Sequence, residues 1–519
     1  MKNKRSNMKL TLRLCAILLL ILPAALLAAD DGLQFPVQEF KLDNGMTFLV
    51  VERHTAPVFS GYICVGVGSA YEKIGNIGSA HLLEHMMFKG SQEVGTTDYP
   101  AEKDLMAKED SVWAAIDDAM KLTRYIRLNE PEKLEQHLKY IEDLRIILDS
   151  LAQASSQYVI QNEYDEIYSR NGSAQSNATT GYDFTYYYLS LPANRLELWF
   201  NMEAGRLLHP AFREFFPERD VVSEERRQSV ENSPDAKLFE QLIGTAFIAH
   251  PYQIFWEWQS EVHELTRTDL QQFFDTYYIP QRITVAIVGD VNLDEVKKFA
   301  EEYFGPMPRG RDPEPIYTVE PPQPGERRLE VEFDANPAVS IAYHKTAFDD
   351  PEEPTFSVIQ RLLGEGRTSR LYKSLVLDQQ LCVDVGIYTF PGNYLGDLHP
   401  NIIYIDAYPK EGVSTDTVEN AVYAELQKLA TVPVDTSELA KVKNNIDADF
   451  VWSAYTNMGL AMFLAQAQNL AHDWHYLSKM RERLKAVTPE DIMAVAAKYF
   501  TKENRTVATL VPTKKGGDQ

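Results

Sequence analysis

An internal repeat constrains this chain more than any other feature. Asp269-Leu270 through Tyr277-Tyr278 to Arg282-Ile283-Thr284-Val285-Ala286 recurs as Asp491-Ile492 through Tyr499-Phe500 to Asn504-Arg505-Thr506-Val507-Ala508, 222 positions later and without a gap. Both halves therefore close on the same helix-then-strand unit. A chain of 519 residues is in any case too long for a single core. The expected fold is α+β, with two homologous domains, each a mixed or antiparallel sheet flanked by helices. The proline-rich stretch 309–326, with Pro313, Pro315, Pro321, Pro322 and Pro324, reads as a linker between a first domain at 30–308 and a second at 327–519.

Only the first half carries the pattern His81-Leu82-Leu83-Glu84-His85. On a helix, His81 and His85 stand at i and i+4, one above the other, and Glu84 projects from nearly the same face. Two neutral imidazoles can hold a zinc ion, and the carboxylate beside them can take a proton from water. Leu82, Leu83, Met86 and Met87 cover the remaining sides, so the helix should be buried. A third ligand must come from elsewhere. Between Glu218 and Arg227, positions 218, 221, 222 and 225 follow the i, i+3, i+4, i+7 spacing, which puts Glu218 and Glu225 on the stripe of Val221 and Val222. Carboxylates on a buried stripe are costly unless paired or bound to metal, so these two are candidates for the ligand and its supporting partner. Glu224 and Arg227 face away as surface charges. Taken alone, the same residues also fit a buried helix with hydrogen-bonded histidines and carboxylates paired with arginine.

Phe40 to Val51 reads as a hairpin turning at Asn44-Gly45, and Phe59 to Val67 as a strand. Residues 100–168 read as a helical hairpin joined near Asn129-Glu130-Pro131, with Leu134, Leu138, Ile141, Leu144 and Leu148 at helical spacing. Phe184 to Leu191 is a strand buried on both faces or an edge, and Leu196 to Leu208 an amphipathic helix. His472 and His475 read as a helix-surface feature. Gly364 to Arg370 lacks the lysine and glycine spacing of a phosphate loop.

With 45% hydrophobic and 24% charged residues the chain is an ordinary globular protein, and a net charge of −24 disfavours nucleic acid as a partner. Lys2, Lys4, Arg5, Lys9 and Arg13 precede an apolar run ending at Ala29. That run falls short of the roughly 20 residues that span a bilayer, so residues 1–29 are expected to be a cleavable signal peptide. The mature protein would be periplasmic or secreted, with no stable membrane span. Cys64 and Cys382 lie in apolar runs and should be buried free thiols.

Four stretches together resemble the pitrilysin/insulinase family of inverted zinc metallopeptidases: Asp43-Asn44-Gly45, His81 to His85 with Phe88-Lys89-Gly90, Asn177-Ala178-Thr179-Thr180, and Glu218 to Arg227. Its half-sized members, similar to mitochondrial processing peptidase subunits and many bacterial proteins, match best, over most of residues 37–512. The resemblance implies His81, His85 and Glu225 as Zn2+ ligands, Glu84 as general base, and Glu218 as a support that does not ligate. It places Asn177 and Ala178 on an edge strand to which a peptide substrate adds as a further strand. It also implies a zinc endopeptidase whose two halves close like a clamshell around an unfolded peptide. The chain departs from the family in two respects. His85 and Glu225 stand 140 residues apart, longer than is typical, and the excess coincides with the helical insertion at about 100–168, expected at the chamber mouth. Active members also supply an arginine and a tyrosine from the second half, where this chain has Val376 and Val383, neither of which can donate a hydrogen bond. The expectation is a metal-carrying subunit of a heterodimer, with a companion of the same family supplying the pair. Competing readings are an active homodimer or monomer and a non-catalytic scaffold or peptide-binding subunit.

Overall fold

In the computed structural model, which describes residues 35–513, the chain enters its first sheet through the Asn44-Gly45 turn. Gly45 takes a φ of +101°, a left-handed value that a side chain resists, and an added Cβ would lie 2.9 Å from Gln281 Cβ. The Asn44 amide donates to Phe304 O and Met307 O at 2.8 and 3.1 Å, which ties the turn to a segment 260 residues away. The turn joins β1 (Gln38–Lys41) to β2 (Thr47–Glu52), with Lys41 opposite Thr47. Residues from Gln38 onward form one compact unit, and residues 35–37 carry no regular element. The expected signal peptide, residues 1–29, lies outside the described residues.

The first sheet also holds β3 (Val58–Val65), β4 (Ala174–Thr180), β5 (Thr185–Pro192) and β6 (Ile283–Gly289), in the order β1-β2-β6-β3-β5-β4. Its principal helices are α1 (Ser79–Met86), α2 (Tyr99–Asn129), α3 (Leu134–Ser155), α4 (Glu163–Arg170), α5 (Leu196–Leu208), α6 (Phe215–Arg226), α7 (Pro234–Ala246) and α8 (Arg267–Tyr277). The second sheet is built from β7 (Arg327–Phe333), β8 (Ala338–Lys345), β9 (Cys382–Phe390), β10 (Asn401–Pro409) and β11 (Arg505–Pro512). Among its helices are α9 (Glu353–Gly364), α10 (Thr436–Tyr455), α11 (Asn457–Ala471) and α12 (Pro489–Tyr499). Its order, β7-β11-β8-β10-β9, repeats β2-β6-β3-β5-β4. In each sheet one pair is parallel, β2 with β6 and β7 with β11, and the others are antiparallel. The repeat extends to hydrogen bonds. Helices α8 and α12 both start on a capping box, Thr266 with Asp269 and Thr488 with Asp491, again 222 positions apart.

Each half lends a helix to the other. Helix α7 of the first half packs on β7, β8 and β11, while α11 of the second packs on β3 and β6. Leu238, Leu242, Ile243 and Phe247 share a buried cluster with Ala338, Ala342, Ile402, Ala508 and Leu510. Polar contacts pin the exchange, with Asn469 Nδ2 donating to Cys64 O at 2.8 Å and Arg327 Nη1 to Thr245 O at 2.8 Å.

The helical hairpin forms as expected, with the turn at Pro131–Lys133. Leu138 leaves the expected apolar stripe and is exposed, because the faces of α2 and α3 that meet contain Ile116, Ala119, Ile141 and Leu148. Strand β5 is not an edge: β4 covers it and takes the outer position. His472 adopts a left-handed conformation that ends α11, so His472 and His475 do not share a helix. Cys64 and Cys382 are buried and free.

Candidate metal centre

Helix α1 is short and starts on Gly78, whose φ is +99°. A buried carboxylate substitutes for a capping side chain: Glu72 accepts from Gly78 N at 3.0 Å and Ala80 N at 2.6 Å. Burial pushes the Glu72 carboxyl up to about 8, although those two N–H groups favour its charge. Leu82, Leu83 and Met86 fix the helix in the core, leaving His81, Glu84 and His85 on its half-buried face.

Helix α6 packs against α1 and carries the remaining candidates. His81 Nε2 and His85 Nε2 each lie 3.6 Å from Glu225 Oε2. Among the described residues these three form the one group whose ligand atoms could enclose a metal, all within 4.8 Å of one another. The separations approach the roughly 3.3 Å edge of a tetrahedron with metal bonds of about 2.0–2.1 Å. Two imidazole nitrogens and one carboxylate oxygen are a donor set that suits zinc and leaves a fourth position open. The Glu225 side chain is 42% exposed, whereas His81 and His85 are 20% and 18% exposed. Val222 is fully buried, but Val221 is exposed, so the expected stripe of α6 is narrower than its spacing suggested.

The other ring nitrogens are held by carboxylates. His85 Nδ1 lies 3.0 Å from Glu218 Oε1, and His81 Nδ1 lies 2.9 Å from Glu257 Oε1. An Nδ1–H donated to each carboxylate leaves the Nε2 lone pairs directed at the site. Burial would raise the Glu218 carboxyl, but His85 and Lys89, whose Nζ is 2.6 Å away, outweigh it and hold it low. Burial disfavours a charged His81, yet the Glu257 hydrogen bond and the charges of Glu257, Glu84 and Glu225 raise it to about 9 in the metal-free chain. A metal entering at neutral pH would therefore displace a proton. Thr180 Oγ1, at the end of β4, donates to Glu84 Oε2 at 2.6 Å.

A cleft of about 590 Å³ opens beside Glu84, His85 and Glu225. Phe88, Lys89, Val159, Ile160, Asp165, Asn177 and Glu214 are among the residues that line it. Asn177 is thus in the cleft, while the Ala178 side chain is buried in the first core with its backbone on the β4 edge. The lining includes no residue beyond Glu225. Val376 is half-buried against the second core, and Val383 is exposed on β9.

Glu257 was invisible to motif reading, although a carboxylate between Trp256 and Trp258 is a buried-acid signal. Lys89 and Thr180 belong to stretches already singled out, but their contacts depend on the packing of α6 and β4 against α1.

Residues 47–116 and 146–255 match the family model described as Insulinase (Peptidase family M16), and residues 264–446 match that of the Peptidase M16 inactive domain. The chain is 28% identical to the zinc protease PqqE of Helicobacter pylori over 376 residues, 70% of this chain and 82% of that protein. It is 22% identical to the probable mitochondrial-processing peptidase subunit beta of Schizosaccharomyces pombe over 337 residues, 62% of this chain and 58% of that one. The fold is similar to the crystal structure of a protease from Helicobacter pylori, with a TM-score of 0.74 at 24% identity, over 92% of this chain and all of that one. It is also similar to the periplasmic protease PqqL from Escherichia coli, with a TM-score of 0.65 at 15% identity, over 93% of this chain and 48% of that one. The chain belongs to peptidase family M16, the insulinase family.

Proposed function

We propose that this protein is an exported zinc metalloendopeptidase that hydrolyses unfolded peptides, with His81, His85 and Glu225 as ligands and Glu84 as the general base. The observation that carries this reading is the convergence of both Nε2 atoms on Glu225 Oε2, at 3.6 Å each, with Glu84 on the same helical face. A bound zinc ion supplies Lewis acidity toward a peptide carbonyl and acidifies water. The Glu84 carboxylate accepts the proton from water and delivers it to the leaving amine, while Thr180 donates a hydrogen bond to one of its oxygens. Glu218 and Glu257 orient the two rings. Asn177 and Ala178 offer the β4 edge to an extended peptide.

A companion subunit of the same family completes this reading. The cleft lining includes nothing from the second half, and Val376 and Val383 have no hydrogen bond to offer a substrate. The working form would be a heterodimer in the periplasm or outside the cell, and the division into 30–308, 309–326 and 327–519 is our assignment of its domains. The second reading, a peptide-binding scaffold, draws on the same absence of donors. Zinc content by elemental analysis, followed by peptide cleavage with and without the companion, separates the two. The Glu84→Gln chain should keep its zinc while cleavage falls roughly 10²- to 10⁴-fold. Full zinc occupancy with no Glu84-dependent cleavage, even beside the companion, would establish the scaffold.

A further inference from the structure

The repeat that relates the two sheets also relates what surrounds them. Strands β3 and β4 of the first sheet correspond to β8 and β9 of the second. Helix α1 follows β3 as α9 follows β8, and α6 and α10 each lead into a helix, α7 or α11, that crosses to the other half. The counterpart of the metal-centre cleft is therefore the space between α9, α10 and the end of β9. That space is a cavity of about 430 Å³, bounded also by the helix Tyr476–Ala486 and the loop at 392–397. Its volume falls in the roughly 300–1,000 Å³ range of small-molecule sites. Among the described residues it holds no group of metal ligands.

The lining pairs apolar walls with one cation that has no counterion. Ile387, Phe450, Leu477 and Met480 are buried and apolar, and Phe450 stacks on Phe463, which stacks in turn on the exposed Tyr394. Three cations are already neutralised: Lys345 Nζ is 2.5 Å from Glu353 Oε1, Arg361 Nη2 2.5 Å from Asp449 Oδ2, and Arg481 Nη2 2.9 Å from Asp447 Oδ2. Lys443 differs. Its Nζ donates to Lys485 O at 2.7 Å, and no carboxylate pairs with it among the described residues. Burial brings its ammonium below the ordinary lysine value, against the charge of Asp491. Ser357 and Gln360 of α9 also reach the cavity, and their side chains bond nothing among the described residues. A half-buried cation beside apolar walls gains most from a ligand that brings one negative charge and an apolar body. A phosphate dianion would in addition face Asp447 and Asp449.

We propose that this cavity is a binding site for a small monocarboxylate with an apolar body, its carboxylate on Lys443 and its body against Phe450 and Met480. The carboxylate belongs to a free organic acid or to the C-terminus of a short peptide. The proposal stands apart from the peptidase reading, because the cavity shares no lining residue with the metal-centre cleft. Isothermal titration calorimetry of the mature, zinc-loaded chain tests it with 4-phenylbutyrate and with the uncharged amide of that acid. One equivalent of the acid should bind saturably in the millimolar range or below, and the amide roughly tenfold or more weaker. Lys443→Met should weaken binding of the acid by a similar factor, whereas Lys443→Arg keeps it. His81→Ala should leave binding unchanged, which separates this cavity from a carboxylate seated on the zinc ion. Should Lys443→Met misfold, the contrast between acid and amide in the wild type, together with indifference to His81→Ala, decides. The tripeptide Ala-Ala-Phe and its C-terminal amide form the second arm. Tighter binding of the tripeptide acid assigns the site to peptide C-termini, and tighter binding of 4-phenylbutyrate assigns it to free acids. No saturable binding of either acid, or equal binding of acid and amide, overturns the proposal. So does binding that survives Lys443→Met or vanishes with His81→Ala.

Discussion

At the scale of single residues, the groups behind the metal centre matter as much as those facing it. Glu257 is 2.9 Å from His81 Nδ1 and mostly buried, and nothing else among the described residues hydrogen-bonds that nitrogen. Glu257→Gln is expected to weaken zinc binding by roughly 10- to 100-fold, read by competition with a chromogenic chelator. A second polar group lies where the halves meet. Tyr252 Oη donates to Asp183 at 2.7 Å, and Tyr252 N donates to His250 Nδ1 at 3.2 Å. Burial and the nearby Asp397 push the Asp183 carboxyl up to about 7, while burial and His399 bring His250 down to about 4. The two act in opposite senses. Folded Asp183 gains its proton near pH 7 and unfolded Asp183 only near 4, so its contribution to stability rises as pH falls through that window. Unfolded His250 gains a proton near 6.5 and the folded ring only near 4, so its contribution falls. Asp183→Asn removes the first effect alone. Against wild type, the variant should lose stability progressively as pH is lowered from 7 to 4, by at most about 1.4 kcal/mol per pH unit. Urea unfolding midpoints across that range check the slope, and a constant difference would contradict it.

At the scale of elements, β4 connects architecture to chemistry. It is the outer strand of its sheet, its Thr180 end touches Glu84, and Asn177 lines the cleft. The Ala178 N–H donates to the Asn177 side chain at 2.9 Å. Proline at that position would remove this donor from the outer strand. If substrate adds to this edge, Ala178→Pro should raise KM roughly tenfold, the value of about one hydrogen bond, with a smaller change in kcat. Steady-state kinetics on one extended peptide decides it. The segment after the hairpin has a comparable position. Val159, Ile160 and Asp165 reach the cleft wall, so the lengthened spacing between His85 and Glu225 leads into the site rather than away from it.

At the scale of the whole molecule, the exchange of α7 and α11 makes the halves interdependent. The apolar face of β3 and β6 is covered by α11, a helix that follows β3 by some 400 residues in the chain. Residues 35–308 produced alone would expose that face and should aggregate, whereas co-production with residues 327–519 should restore a soluble pair. Size-exclusion chromatography of both preparations distinguishes these outcomes. Burial of a shared cluster favours this strongly, since large apolar faces left in water cost about 25 cal/mol per Å².

The duplicated plan, the Asn44-Gly45 hairpin, the buried histidine helix, the helical insertion and the carboxylates of α6 were all legible in the amino-acid order. Each is written as a local spacing or a fixed offset: i and i+4 for His81 and His85, 222 for the two capping boxes. Tertiary structure alone decided that Glu257 backs His81, that Val221 faces water, and that each half borrows a helix from the other. Those outcomes come from surfaces that meet across tens to hundreds of residues. Such contacts are set by shape and burial in three dimensions, and they leave no periodic trace in the chain that makes them.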